Sequence, residues 1–470
     1  MTARVIAALV ACGASVGVPP SSLGGQRTLE PSELLQSVER SLPQLERARR
    51  DLQVASGELE EAQGGFDLSI KSSAKSIRGY YDNDRVSTLL EQPLTPFGLT
   101  TFGGYRAGRG LFAPYDTRAQ TLSDGELVAG FSVPLLRDRA IDGRRAAREV
   151  TRLGTQVAQR TLTKARLSYY KEALSAYWDW VAAGQQRRIA QALLELAEAR
   201  DRQLADGVAL GQVAPVERTD NRRAILQRRA ALVSAERQLQ MTSIGLSLYY
   251  RSAAGEPDRP SADRLPPLPP SSTVPVIDEN HAVNLAIAGR PELQALRLKR
   301  DQQQVDVRFA ENRVLPSLDW VTQGARDFGG GPASRVGSVF ESELSFTFPI
   351  QNRKASGKRL QARAKLSGIA QELRWMEDQV RAEVQDALSA EQAATAALAV
   401  IGEELAVARE LEALERERFA LGDSTQFLVN LRELATADAA LRETKALIDY
   451  RKALVTLDAA TGQLLSAATP

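Results

Sequence analysis

Histidine and cysteine are nearly absent from this chain of 470 residues, which contains one of each, His281 and Cys12. A zinc site draws its protein ligands mostly from these two residue types, so we expect none here. A single thiol excludes a disulfide within the chain, and a Ser/His or Cys/His catalytic pair would have to use His281. That histidine follows Glu279 near the start of a predicted helix, and we interpret it as an exposed helix-entry residue. We therefore predict no enzyme, no metal and no cofactor.

The chain also lacks an excess of one charge and a long apolar run. Lys and Arg number 60 and Asp and Glu 58, which leaves no electrostatic footprint for nucleic acid. After the N-terminus, no segment has the ~18 uninterrupted apolar residues of a transmembrane helix. If the protein crosses a membrane, it must do so with strands.

The N-terminus is typical of an export signal. Arg4 precedes a short apolar run over residues 5–11, and small residues follow. The motif Leu9-Val10-Ala11-Cys12 resembles the lipobox of bacterial lipoproteins, in which the cysteine becomes the lipidated first residue. Ordinary cleavage after a small residue such as Gly13 is the alternative. We predict a signal peptide over residues 1–11 and lipidation of Cys12.

The sequence contains an internal repeat. A strand-like segment ending at Pro134 and another ending at Pro349 are each followed by a long helical pattern that stops at a Leu-Gly pair. The two prolines are 215 positions apart, and the glycines of the pairs, Gly211 and Gly422, are 211 apart. This nearly constant register indicates duplication. We predict a first repeat over residues 12–254, a Pro-rich linker over 255–275 and a second repeat over 276–470.

The predicted helices are unusually long. Residues 138–206 and 354–420 contain no Pro and almost no Gly, and roughly 68 helical residues span about 100 Å. Leu434, Leu441, Ile448 and Val455 follow one another at heptad spacing, the pattern of a coiled coil. Narrow, Ala-rich seams suit helices that pack side by side in a thin wall.

Four predicted strands alternate apolar and polar residues, as lipid-facing barrel strands do. A half-buried soluble sheet would give the same alternation. The polar positions that we expect to line a barrel lumen are Asp67, Lys71, Asp319, Glu341 and Glu343. Because acidic residues dominate this set, we predict a mildly cation-preferring pore. Four strands cannot close a barrel, and an open edge is not tolerated in lipid, so several chains would have to share one barrel.

These features together resemble the TolC-type outer membrane efflux protein family. The segments Arg290-Pro291-Glu292-Leu293 and Val314-Leu315-Pro316-Ser317-Leu318 are similar to the entry of that family's repeat. Ser175-Ala176-Tyr177-Trp178-Asp179-Trp180 is similar to its long helix, and Phe419-Ala420-Leu421-Gly422-Asp423-Ser424 to its helix–helix turn. The resemblance covers nearly the whole chain from about residue 28.

The resemblance implies a mainly α fold with a small β part. Long antiparallel coiled-coil helices would form an α-barrel in the periplasm, and four strands per chain would join a trimeric, 12-stranded transmembrane β-barrel. It implies an exit duct in the Gram-negative outer membrane that docks on a periplasmic adaptor, a membrane fusion protein, and through it on an inner-membrane pump. The alternatives are a coiled-coil scaffold or adaptor without a barrel and, more remotely, an enzyme.

By the same resemblance, the two helix–helix turns lie at the periplasmic tip and contact the adaptor. The residues concerned are Gly211, Val213, Pro215, Glu217, Asp220, Gly422, Asp423, Ser424, Leu428 and Leu431. Family members often carry acidic residues after the second glycine, where this chain has Leu428 and Leu431. We therefore expect the acidic ring of the second repeat to be absent or replaced by an apolar constriction.

Residues 82–124 have no counterpart in the second repeat, whose hairpin has only a short Gly-rich loop. Because the outer loops of barrels are the longer ones, we expect this segment to face the exterior, as a candidate cap of the pore.

Overall fold

The computed structural model describes residues 27–268 and 278–467. The expected signal peptide, Cys12 and part of the Pro-rich linker lie outside these residues. The first half of the chain contains helices α1 (Pro31–Ser41), α2 (Pro43–Gly64), α3 (Gly143–Ala209) and α4 (Pro215–Leu246) and strands β1 (Ser69–Ile77), β2 (Asn83–Pro93), β3 (Thr100–Gly110) and β4 (Glu126–Pro134). The second half contains α5 (Glu279–Gly289), α6 (Pro291–Asn312), α7 (Arg353–Ala420), α8 (Gln426–Thr461) and α9 (Leu464–Ala467) and strands β5 (Ser317–Asp327) and β6 (Ser338–Thr347).

The helix boundaries follow local chemistry. Four helices, α1, α2, α4 and α6, begin with a proline, whose missing N–H is not needed in the first turn. Asp142 caps α3 by accepting a hydrogen bond from the Arg145 backbone N–H at 2.9 Å. Asp278 caps α5 through the backbone N–H of His281 at 3.0 Å, and the His281 side chain is exposed. This position agrees with the interpretation of His281 as a helix-entry residue.

The helical part confirms the mainly α fold class. Helices α3 and α7 have 67 and 68 residues, about 100 Å each. Each pairs with the helix that follows it, α3 with α4 and α7 with α8. The apolar core is divided into separate clusters along these helices, the largest of which surrounds the fully buried Trp180. Within it, the buried Tyr177 hydroxyl donates to the Leu29 carbonyl at 2.8 Å.

The six strands of the described residues form one antiparallel sheet in the order β1-β2-β3-β4-β5-β6. The sequence predicted four strands per chain. The structure adds β2 and β3, both within residues 82–124, which the sequence analysis interpreted as a loop. This segment therefore widens the sheet by the β2–β3 hairpin. The connection from β3 to β4 covers residues 111–125 and lies at the end of the sheet away from the helices, called the outer end.

Within residues 27–268 and 278–467, no helix is both long enough and apolar enough to cross a lipid bilayer.

Candidate functional site

One face of the sheet is polar and carries four of the five predicted lumen residues. Residues opposite each other in neighbouring strands point to the same face, and the register places Glu91 opposite Ser69 and Glu341 opposite Gln323. Lys71 forms an ion pair with Glu91 on this face. Glu341 accepts a hydrogen bond from the Gln323 amide at 2.8 Å.

The other predicted lumen residues occupy positions consistent with the alternation of the strands. Asp319 in β5 and Glu343 in β6 lie on the same face of the sheet as Lys71 and Glu341. The Asp319 carboxylate accepts a hydrogen bond from Ser317 at 2.9 Å. Asp67 is exposed in the turn between α2 and β1, at the helical end of the sheet. Together with Arg85 and Asp327 near the other end, these residues spread charge over the whole length of the polar face.

The opposite face of the sheet is apolar and exposed. On β6 it presents Phe340, Leu344 and Phe346, which are 75%, 65% and 65% exposed. In the centre, the rings of Phe131 and Trp320 meet edge to face at 5.4 Å. The other large apolar side chains exposed on this face are Ile70, Val86, Leu90, Tyr105 and Leu127. A water-soluble sheet normally packs its apolar face against a core, so an exposed apolar face of this extent indicates contact with lipid or with another protein.

Both edges of the sheet are open in the described chain. Strands β1 and β6 each pair with a single neighbour, and all ten residues of β6 are exposed. Edge strands present unpaired backbone N–H and C=O groups, which favour pairing with another strand.

The two helix–helix turns lie together at the far end of the helices. Gly211 and Gly422 have φ angles of +71° and +81°, which glycine adopts without strain. The predicted tip residues distribute over these turns and the helix starts that follow. Pro215 and Glu217 occupy the first turn of α4, and Asp220 pairs with Arg223 at 3.1 Å. Val213 donates through its backbone to the Gly207 carbonyl at 3.2 Å.

The second turn is closed by its own polar contacts. Asp423 pairs with Arg418 at 3.2 Å, and the Ser424 hydroxyl donates to Glu415. Leu428 is half-buried, whereas Leu431 is 48% exposed. A cavity of about 320 Å³ between α3, α4 and α8 is lined by both Leu431 and Asp220. The structure thus brings one predicted residue from each turn to the same cavity.

A buried ionic cluster just above the tip escaped the sequence analysis. Glu433 of α8 has no exposed side-chain surface and pairs with one arginine from each of the other three long-hairpin helices: Arg200 of α3, Arg228 of α4 and Arg416 of α7. The Arg228–Glu433 and Arg416–Glu433 distances are 3.2 and 3.3 Å. In the sequence Glu433 resembles any solvated helix residue, and its partners on α3 and α4 are more than 200 positions away. The cluster therefore joins the two helical hairpins, α3–α4 and α7–α8.

Burial alone would raise the pKa of Glu433. The hydrogen bonds and positive charges of Arg200 and Arg228 outweigh that effect and hold the pKa below its ordinary value. Glu433 is therefore ionised at neutral pH, and its charge stabilises the joint between the hairpins.

Comparison with known proteins identifies the fold but no sequence relative. No protein-family model matches the chain, and no curated protein matches its sequence. Several solved structures of outer-membrane channels do match it. The outer-membrane channel OprN is 14% identical, with a TM-score of 0.64 over 94% of each chain.

Two further channels give the same result. The CmeC outer membrane channel of Campylobacter jejuni is 13% identical, with a TM-score of 0.63 over 92% of this chain and 85% of that one. The open state of the MtrE outer membrane channel of Neisseria gonorrhoeae is 15% identical, with a TM-score of 0.63 over 92% and 89%. The chain therefore has the fold of these outer-membrane channels.

Proposed function

We propose that the protein is a passive exit duct in the outer membrane of a Gram-negative cell, built from three copies of this chain. The observation that carries the proposal is the sheet at the end of the long helical hairpins, with an exposed apolar face, a polar face and two open edges. The likeness in fold to outer-membrane channels supports the same assignment.

The exposed apolar face of the sheet is more favourable in contact with lipid than in contact with water. Phe340, Leu344 and Phe346 lie in a row on β6 and would each be unfavourable in contact with water. In lipid, however, an open sheet edge leaves backbone groups without partners. The edges must then pair with other copies of the chain, so the sheet has to close into a barrel.

The direction of the edge strands allows this closure. Strand β1 runs away from the helices and β6 returns towards them, so β1 of one copy can pair with β6 of the next in an antiparallel ladder. The number of three copies follows the family resemblance. Three six-stranded sheets would give eighteen strands, an even number within the range of outer-membrane barrels. The twelve strands expected from four per chain become eighteen because of the β2–β3 hairpin.

The helical tip is the proposed docking site of a periplasmic adaptor, which would connect the duct to an inner-membrane pump in a tripartite efflux or secretion system. Leu210 and Leu421, beside the two turn glycines, are 71% and 78% exposed, and Phe427 is 64% exposed. Apolar side chains at an exposed tip favour contact with a partner protein. We propose that the ten predicted tip residues surround this contact. Cys12 is the proposed lipid anchor at the membrane.

The test is the native mass of the protein extracted in mild detergent from the membrane fraction of a Gram-negative host. We expect a particle of three chains of 51.1 kDa, less the signal peptides and plus bound detergent. A monomer or dimer recovered from the soluble fraction would overturn the proposal, because the apolar sheet face would then not meet lipid.

A further inference from the structure

Residues 111–123 of the connection between β3 and β4, here called the outer segment, fold back over the sheet. Arg85 in β2 forms an ion pair with Asp116 of this outer segment, with 3.2 Å between one pair of atoms. The Arg85 guanidinium also lies 5.1 Å from the centre of the Phe112 ring. Arg85 alternates with Val86 of the apolar face and shares the polar face with Glu91. The outer segment therefore lies against the polar face.

The absence of a side chain at Gly108 of β3 allows the outer segment to approach the sheet closely. A Cβ atom at Gly108 would lie 1.8 Å from the Ala119 carbonyl oxygen and 3.2 Å from the Phe112 ring. Any other residue at this position would push the segment off the sheet. The backbones are also joined directly, because the Thr121 N–H donates to the Gly108 carbonyl at 3.0 Å.

The outer segment also reaches the far side of the sheet. Arg118 pairs with Glu341 of β6 at 3.3 Å, and β6 is four strand spacings from β2, about 19 Å along the sheet. Glu341 lies three residues below the outer end of β6, about 10 Å at the rise of a strand. The segment thus spans the polar face below the rim of the sheet.

A second loop holds the outer segment in this position. Arg335, between β5 and β6, donates to the carbonyl oxygens of Thr117, at 2.7 Å, and Gln120. Leu122 is 2% exposed, and its backbone N–H donates to Asp327 at 3.1 Å. These contacts make the segment a fixed part of the sheet's polar side. Two of its side chains are nevertheless largely exposed: Tyr115 is 89% exposed, and the Arg118 side chain is 94% exposed even though it pairs with Glu341.

We propose that residues 111–123 form a constriction inside the barrel at its outer end, with Tyr115 and Arg118 as the side chains that passing solutes meet. The inference rests on the proposed function, because the polar face becomes the inner wall only in a closed barrel. Barrels of sixteen to eighteen strands leave a water-filled channel. Three inward-folded segments would narrow that channel and set the largest solute that leaves it.

The test measures access from outside to a cysteine deep in the lumen. Ser345 lies on the polar face near the helical end of β6, opposite Asp319, so Ser345→Cys places a thiol below the constriction. Intact cells are treated with maleimide–polyethylene glycol reagents of increasing mass. The control is Tyr80→Cys in the outer β1–β2 turn, where Tyr80 is 86% exposed. The unchanged chain, whose only cysteine is Cys12, gives the background.

We expect every reagent to label Tyr80→Cys, whereas only the smaller reagents label Ser345→Cys. Replacing residues 113–120 by a short Gly-Ser linker should about double the mass of the largest reagent that still labels Ser345→Cys. An unchanged size limit would overturn the constriction. Failure to label Tyr80→Cys on intact cells would instead argue against the proposed function, because the outer end would not reach the cell surface.

A pair of single substitutions tests the same inference without a deletion. Arg85→Ala and Lys71→Ala each remove the cationic partner of one ion pair on the polar face, but only Arg85 contacts the outer segment. We expect Arg85→Ala to speed the labelling of Ser345→Cys by the larger reagents several-fold and Lys71→Ala to leave it unchanged. Equal labelling rates in the two variants would show that the segment does not limit access.

Discussion

Glu433 of α8, fully buried, accepts a hydrogen bond from Arg228 of α4, whose side chain is 5% exposed, at 3.2 Å. This contact crosses from one helical hairpin to the other, and Arg200 of α3 and Arg416 of α7 complete it. A buried carboxylate with three arginine partners is stable only while all the charges remain paired. The cluster is therefore a sensitive point of the helical wall just above the tip.

Glu433→Ala should loosen the joint between the hairpins. The substitution leaves the buried Arg228 without its carboxylate, and breaking a buried ion pair in this way typically destabilises a protein by about 3–5 kcal/mol. The measurement is the free energy of local opening, from hydrogen exchange of the backbone amides around residues 426–436.

The matched control for this substitution is Glu198→Ala. Glu198 of α3 pairs with Arg229 of α4 at 2.7 Å, but the two side chains are 40% and 59% exposed. An exposed pair contributes less than about 1 kcal/mol. Similar exchange in the two variants would contradict a structural role of the buried cluster.

The same residue predicts a dependence of stability on pH. Because the pKa of Glu433 is lowered in the folded protein, its ionised form contributes stability above the ordinary glutamate pKa of 4.5. That contribution is lost as the pH falls through the lowered pKa of the folded state. We expect amide protection around residue 433 to decrease below about pH 4.5 in the wild-type chain and less so in Glu433→Gln. Parallel pH profiles for the two proteins would contradict this assignment.

The two faces of β6 predict opposite responses to one change of charge. Leu344 lies on the apolar face, and Leu344→Arg would place a charge against lipid, at about 2–4 kcal/mol near the bilayer midplane. Its neighbour Glu343 points to the polar face, where Glu343→Arg meets water. We expect Leu344→Arg to lower the yield of trimer in the membrane fraction several-fold and Glu343→Arg to leave it near that of the wild type. A lower trimer yield for Glu343→Arg than for Leu344→Arg would indicate that lipid contacts the polar face, which would contradict the assignment.

Much of the helical fold could be predicted from the sequence because its signals are local. The absence of proline over residues 138–206 and 354–420 predicts long helices, and the structure has them at 143–209 and 353–420. The two Leu-Gly pairs predict turns, because a positive φ at Gly211 and Gly422 favours glycine. Neither conclusion depends on a residue far away in the chain.

The β2–β3 hairpin could not be predicted in the same way. Strand β3 has the sequence Thr-Thr-Phe-Gly-Gly-Tyr-Arg-Ala-Gly-Arg-Gly, whose glycines are typical of a loop. The structure explains two of them by close approach. A Cβ atom at Gly104 would lie 2.1 Å from the Thr88 carbonyl oxygen, and one at Gly108 would meet Ala119. These glycines are determined by tertiary contacts, which a local pattern does not contain. The partners of Glu433 are distant in sequence for the same reason.

The polar face predicts a cation-preferring pore that depends on two carboxylates. Among the described residues of the polar face, the carboxylates of Asp319, Asp327 and Glu343 form no ion pair, and neither does the cation Lys75, so anions outnumber cations among the unpaired charges. The unpaired carboxylates would leave a net negative potential in the lumen, which attracts cations.

The double replacement Asp319→Asn with Glu343→Gln should abolish most of this preference at constant side-chain size, because the remaining unpaired charges, Asp327 and Lys75, balance each other. The measurement is the reversal potential of the purified channel in a planar lipid bilayer under a potassium chloride gradient. The control is the double variant Lys71→Gln with Glu91→Gln, which removes one ion pair from the polar face without changing its net charge and should shift the reversal potential little. An anion preference in the wild-type channel, or an unchanged reversal potential in the Asp319→Asn, Glu343→Gln variant, would contradict the assignment of these two carboxylates to the lumen.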